Sequence, residues 1–226
     1  MKIAIIPARG GSKRIPRKNI KLFRNRPMIA YTLEAAHNSG LFDRIIVSTD
    51  DEEIASVALA HGGEVPFVRP ANLADDHTGT VAVIAHAIKT LNIEEAEAVC
   101  CLYATAPFLR SDDLHQALRA LFNSDKLYAF PVTTFPYPIH RALLRQSNGT
   151  ISMAWPEYQS YRSQDLPETY HDAGQFYWGR PKAWLSHTPI FSDASTTILL
   201  PRYLVHDIDT PEDWERAELI HQALFP

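Results

Sequence analysis

The chain has 226 residues, 46% of them hydrophobic, and 26 acidic against 22 basic side chains give a formal net charge of −4. That is enough apolar material for one full core, and the acidic balance argues against a nucleic-acid-binding face. No window approaches 18 uninterrupted apolar residues, and the first residues run straight into a charged loop without a leader's cleavage pattern. The sequence therefore predicts a cytoplasmic protein that does not cross a membrane.

Apolar runs at 2–7, 44–49, 65–68, 98–103 and 128–133 read as buried strands. The segments 27–39, 51–61, 79–92 and 111–123 between them carry helical periodicity. This alternation predicts an α/β domain with a mainly parallel central sheet flanked by helices. Thr49-Asp50-Asp51-Glu52-Glu53 and Ser111-Asp112-Asp113 place capping side chains and negative charge on first turns, where free N–H groups need partners. Cys100 and Cys101 are adjacent in one of the apolar runs, which is poor geometry for a disulfide and too few ligands for zinc, so both read as reduced strand residues. From about 134 to 195 aromatics, prolines and short alternating stretches predict an inserted β-rich lobe. A strand over 203–208 and a helix opening at Pro211, with Trp214, Ala217, Ile220 and Leu224 on one face, close a single domain spanning 1–226.

The densest chemical signal follows the first strand. Ala8-Arg9-Gly10-Gly11-Ser12-Lys13-Arg14-Ile15-Pro16-Arg17-Lys18-Asn19 gathers cations around two glycines, whose missing Cβ permits positive φ or close approach of the backbone to an anion. It reads as a polyphosphate cradle in which Arg9, Lys13 and Lys18 supply charge. It is not a Walker loop, because the G-x-x-x-x-G-K-[ST] spacing is absent and Pro16 and Asn19 stand where the helix would start. Ligands of open α/β sheets sit beyond the carboxyl ends of the strands, and Ser48-Thr49-Asp50, Arg69-Pro70, Tyr103–Pro107 and His206–Thr210 fall at such ends. Asp207 and Asp209 share a face if the segment is extended and suit Mg²⁺ bound with nucleotide phosphates, although Asp209 reads also as a helix cap. Arg69 reads equally as a ligand contact or a surface arginine before a turn. Asp75-Asp76-His77-Thr78 is more economically a cap than a metal cluster. His171-Asp172 is half a dyad without a nucleophile motif, which speaks against hydrolysis.

As an ordered set, Ile6–Lys13 with Lys18-Asn19, Ser48-Thr49-Asp50, Phe67-Val68-Arg69-Pro70, Arg162-Ser163-Gln164-Asp165-Leu166-Pro167 and Asp207-Ile208-Asp209-Thr210 resemble the cytidylyltransferases that activate 2-keto-3-deoxy sugar acids, the CMP-sialic acid synthetase group. The resemblance covers essentially the whole chain. It implies a Rossmann-like fold whose inserted lobe dimerises, and attack of a sugar's anomeric 2-hydroxyl on the α-phosphate of CTP with release of pyrophosphate. It further implies Mg²⁺ (or Mn²⁺) on Asp207 and Asp209, catalysis through Arg9, Lys13, Lys18 and Asp209, and CTP contacts from Ala8 to Lys13 and from Asn19, Arg69 and Thr80. The acid sugar would meet Tyr103, Arg162, Gln164, His171, Gln175 and Phe176, with Arg162 on its carboxylate. Within the group, Cys100–Leu109 and Tyr170–Gly179 look like the members that act on pseudaminic acid, a sugar of bacterial surface polymers such as flagellin. Tyr103, where sialic acid synthetases carry glutamine, and Thr105, where the Kdo-activating enzymes carry an acidic metal ligand, set the chain apart from both. Legionaminic or sialic acid as substrate, and a nucleotide-binding subunit without turnover, are the competing readings.

Overall fold

The computed structural model describes residues 1–75 and 78–225. In chain order the elements are β1 (Lys2–Pro7), β2 (Leu22–Phe23), β3 (Arg26–Pro27), α1 (Met28–Ser39), β4 (Arg44–Ser48), α2 (Glu52–Ala60), α3 (Thr80–Leu91), β5 (Ala98–Leu102), α4 (Ser111–Phe122), β6 (Tyr128–Thr134), β7 (Leu143–Arg145), β8 (Ile151–Met153), β9 (Tyr170–Asp172), β10 (Phe176–Gly179), α5 (Pro181–Leu185), β11 (Ser195–Leu199) and α6 (Pro211–Leu224). The central sheet runs β11-β6-β10-β5-β1-β4, with β9 also paired to β6. The β1–β4, β1–β5 and β6–β11 pairs are parallel, whereas β9 and β10 run antiparallel to their neighbours.

Period-two alternation assigns the two faces of the sheet. Ala4 and Ile6 of β1 pack with Ile29 and Leu33 of α1 and Leu114 and Leu118 of α4, while Ile3 and Ile5 pack with Ile84 and Ile88 of α3 and Trp184 of α5. A third apolar cluster lies outside the sheet. Ile15 from the basic loop joins Phe23, Met28, Phe108, Ile208, Trp214 and Ala217 there, so α6 and the basic loop share one small core.

The caps differ between helices. Asp51 caps α2, its side chain accepting from Ile54 N–H, and Glu52 and Glu53 follow in the first turn. At α4 no side chain caps the start; Asp113 is buried and held by Arg110 at 2.7 and 2.8 Å. α6 opens with a capping box between Thr210 and Asp213 and with Pro211 in its first turn.

Three expected elements change. The 65–68 run makes only the isolated bridge Thr49–Val68, with a second, Ile46–Glu64, just before it, and Pro66 between them has no N–H for a ladder. The 203–208 strand is replaced by a 3₁₀ turn over Arg202–Leu204 and an unpaired stretch, with Gln175 Nε2 holding the Leu204 carbonyl at 2.6 Å. The expected lobe is also shorter. Phe176–Gly179 is buried at every position and inserts between β5 and β6, so within the expected lobe the strands that stand off the central sheet are β7 and β8, which form a separate hairpin between β6 and β9.

Candidate active site

A cavity of about 710 Å³ opens beyond the carboxyl ends of β1 and β5. Pro7, Arg9, Ser12, Lys13, Arg14, Lys18, Asn19, Arg69, Leu73, Asp75, Thr78, Thr80, Val83, Tyr103, Ala104, Thr105 and Asp209 line it. The expected charged loop, the end of β5, the start of α3 and the segment before α6 thus share one space. Asp76 and His77 of the expected cap lie outside the described residues; Asp75 accepts from the N–H and the hydroxyl of Thr78, both at 2.7 Å.

The loop is held open by contacts away from the cavity. Ala8 is buried and its N–H donates to Ser48 at 2.9 Å, so it offers backbone rather than side chain. Gly10 N–H donates to Asp50 at 3.2 Å, and a Cβ on Gly10 would come within 2.7 Å of the Asp51 carboxylate. Close approach, not positive φ, is what demands glycine there, and Gly11 has open space around it. Arg17 turns outward with φ 57° and forms a two-pronged pair with Asp51 at 2.5 and 2.8 Å, with a further bond to Glu53. Asn19 Nδ2 donates to the Arg9 carbonyl at 2.9 Å, tying the two ends of the loop together. Ile15 is fully buried beneath the loop, and removing its side chain from water contributes about 1.5–3 kcal/mol.

Opposite the cradle stands Asp209. Its cap role belongs instead to Thr210, whose hydroxyl accepts from Asp213 N–H, while the Asp213 carboxylate takes the Asp209 and Thr210 N–H groups. The Asp209 carboxylate is thereby released toward the loop, where Arg14 lies at 2.6 Å and Lys18 at 3.1 Å; Lys18 also donates to the Ile208 carbonyl at 2.9 Å. Lys18, expected to act on phosphate, is thus committed to this acid. Asp207 does not line the cavity. Desolvation first, then the Asp209 charge, raise its carboxyl above the ordinary range against the opposing pull of Lys18 and Arg14. Among the described residues no group of three or more His, Cys, Asp or Glu side chains could hold a metal.

Arg69 is only 4% exposed, so it is not a surface arginine. It reaches Asp50 at 3.4 Å, its Nε has no partner, and burial lowers its pKa against the support of Asp50. Tyr103 lies on the far wall with its hydroxyl 3.4 Å from Thr80 Oγ1. The sugar residues expected in the lobe do not converge there. Arg162 is 71% exposed at its side chain and paired with Asp165 at 2.6 Å, and Gln164 is exposed. His171 packs on Phe135 with ring centroids 4.8 Å apart. Gln175 is buried on the Leu204 carbonyl, and Phe176 is fully buried in the core, so Phe176 cannot wall a pocket. Sequence reasoning left Arg14 without a role although it neighbours Lys13, and it placed Asp50 at a strand end without a contact, where it bonds both Gly10 and Arg69.

The cytidylyltransferase family model matches residues 3–222. The chain belongs to the cytidylyltransferase family. This cytidylyltransferase is 48% identical over 98% of its length to the pseudaminic acid cytidylyltransferase of Campylobacter jejuni serotype O:2, covering 96% of that protein. It is 38% identical over 91% of its length to a Helicobacter pylori protein named pseudaminic acid cytidylyltransferase and UDP-2,4-diacetamido-2,4,6-trideoxy-beta-L-altropyranose hydrolase, covering 40% of it. The solved structure of CMP:2-keto-3-deoxy-manno-octonic acid synthetase complexed with CTP superposes with a TM-score of 0.72 over 99% of both chains at 18% identity, a likeness of fold. The Rossmann-like α/β architecture and an enzyme of the nucleotidyltransferase class are thus in hand. No helix among the described residues is long and apolar enough to cross a membrane.

Proposed function

We propose that this cytidylyltransferase transfers CMP from CTP to the anomeric 2-hydroxyl of pseudaminic acid, releasing pyrophosphate. The observation that carries the substrate is the 48% identity, end to end, with a protein of that name. The cavity supports the reaction class. Membership of an enzyme family sets aside the reading as a nucleotide-binding subunit without turnover.

The cradle's part is positioning and charge neutralisation. Arg9 and Lys13, with the backbone around Ser12, receive the triphosphate, and their charge offsets the negative charge that grows on the departing pyrophosphate. Arg69 and Asn19 take the nucleoside end. Buried Arg69 with an unpartnered Nε has a donor to give that desolvation makes costly to leave unmet. Lys18 keeps the Asp209 carboxylate turned toward the phosphates.

A divalent cation fits Asp209, which supplies hard oxygen donors at the cavity wall. Mg²⁺ characteristically takes one or two carboxylates and completes its shell with phosphate oxygens and water, which matches a site with few protein donors. When bound, Mg²⁺ (or Mn²⁺) would withdraw charge from the nucleotide phosphates. We also assign the exposed apolar side chains of 135–169 to a homodimer contact, as the family resemblance implies.

The test is pyrophosphate release from CTP with pseudaminic, legionaminic and sialic acids in parallel, with Mg²⁺ and with chelator, each product identified by mass. Preference for pseudaminic acid that chelator abolishes is expected. Preference for another sugar removes the substrate assignment, and undiminished release in chelator removes the metal.

A further inference from the structure

Two neighbouring acids follow β4, and they serve different partners. Asp51 caps α2 and takes the Arg17 guanidinium. Asp50 makes two other contacts, both through Oδ1, which accepts from Gly10 N–H at 3.2 Å and lies 3.4 Å from Arg69 Nη2.

The backbone accounts for this reach. β4 lies between β1 and the segment that ends at Arg69. On one side Ala8 N–H donates to the Ser48 carbonyl at 2.9 Å, and on the other Arg69 N–H donates to the Thr49 carbonyl at 2.8 Å, where Thr49 bridges Val68. Neighbouring strands are about 4.8 Å apart, so a short carboxylate just beyond the end of the middle one can touch both flanks. Asp50 occupies that position.

Arg69 depends on this acid. Burial first lowers its pKa, the Asp50 hydrogen bond and charge oppose that, and the nearby Arg9 charge adds to the lowering. A buried guanidinium deprived of its carboxylate is strongly disfavoured, so Asp50 helps decide where the Arg69 side chain rests. Arg69 Nε has no partner among the described residues, and Arg69 lines the same cavity as Arg9, Ser12 and Lys13. Asp50 itself does not line it. One carboxylate oxygen therefore holds both the backbone of the basic loop and the buried guanidinium across from it.

We propose that Asp50 is a positioning residue that sets the spacing between the basic loop and Arg69, so that one nucleoside triphosphate can span both. The inference rests on the proposed placement of the triphosphate on the loop and of the nucleoside end on Arg69. Asp50 touches no substrate, and the spacing matters only to a ligand that reaches both sides.

The experiment is calorimetric titration in Mg²⁺ with CTP and with inorganic tripolyphosphate, which reaches the loop alone, on the wild type, Asp50→Ala, Asp50→Asn, Arg69→Ala and the Asp50→Ala/Arg69→Ala double variant, with thermal melting to report the fold. Asp50→Ala and Arg69→Ala are each expected to weaken CTP roughly tenfold and tripolyphosphate by no more than about threefold. The double variant should be little worse than the worse single, because both remove one coupled element. Asp50→Asn should recover most of the loss, since its amide oxygen still accepts from Gly10 and Arg69. If Asp50→Ala does not fold, Asp50→Glu, which keeps the charge and displaces the oxygen by one methylene, decides, with weaker CTP and unchanged tripolyphosphate expected. Unchanged CTP affinity in the Asp50 variants, equal losses for both ligands, an Asn variant as weak as Ala, or losses that multiply in the double variant overturn the positioning role while Arg69 keeps its assignment. Unchanged CTP affinity in Arg69→Ala overturns the placement of the nucleoside end and the positioning role together.

Discussion

The basic loop and the hairpin segment 135–169 differ in how their apolar side chains are spent. The loop buries Ile15 completely and ties itself down with Arg17 on Asp51, Asn19 on the Arg9 carbonyl and Lys18 on Asp209. The hairpin segment instead leaves Tyr137 81% and Ile151 63% exposed, along with Leu143, Leu144, Trp155 and Tyr161. One is finished within the chain. The other presents apolar surface of the kind that marks an interaction site. The contrast shows that the basic loop is tied down by contacts within the chain, whereas the hairpin leaves apolar surface that the proposed dimer contact would cover.

The largest break in that comparison is expected at Asp209. Asp209→Asn should abolish Mg²⁺-dependent turnover while leaving circular dichroism unchanged; retained normal rates would remove it from the metal site. Next comes Lys13→Ala, which should lower kcat by roughly 10²-fold or more with little change in melting temperature. Unchanged kinetics would refute the cradle. On the other side, Ile151→Asp should shift the protein from dimer to monomer in sedimentation analysis without unfolding the central domain, and an unaltered or initially monomeric species would count against a homodimer built on this face.

The smallest effect is the pH dependence of the loop's anchor. The Arg17 side-chain hydrogen bond pushes the Asp51 carboxyl down to about 2 from an ordinary 3.8, against a smaller opposing effect of burial and with help from Ile54 N–H. A lowered folded-state pKa stabilises above the unfolded value, so this contribution is present above about pH 4 and is lost as pH falls toward 2. Thermal melts between pH 5 and pH 2 should show a shallower decline in Arg17→Ala than in the wild type. Parallel declines would mean that the pair, part exposed to solvent, contributes too little to measure.

Much of this arrangement was legible in the chain. Local signals carried β1, β4, β5 and β6, the four helices between them, α6, and the loop with its cations, because periodicity, caps and glycine placement act over a few residues, but they missed β11. Asp209 was legible as a candidate but not as a choice between cap and ligand. That depended on Thr210 and Asp213 closing the capping box, which freed the neighbouring carboxylate. The aromatic run at 176–178 read as lobe because its neighbours were polar and proline-rich; only its pairing with β5 and β6 revealed a central strand.

The sequence by itself determined the α/β class, the position of the basic, glycine-bearing loop after the first strand and, through an ordered set of motifs, the family. Tertiary structure alone decided which side chains share a space. Phe176 went to the core and Arg162 to an exposed pair with Asp165, while the Tyr177 hydroxyl was brought onto Asp172 and its ring against Tyr103. Short-range propensities are properties of neighbouring residues, whereas these placements depend on strand pairing across dozens of residues and on the three-residue register shift between β9 and β10, which reverses which face a side chain takes.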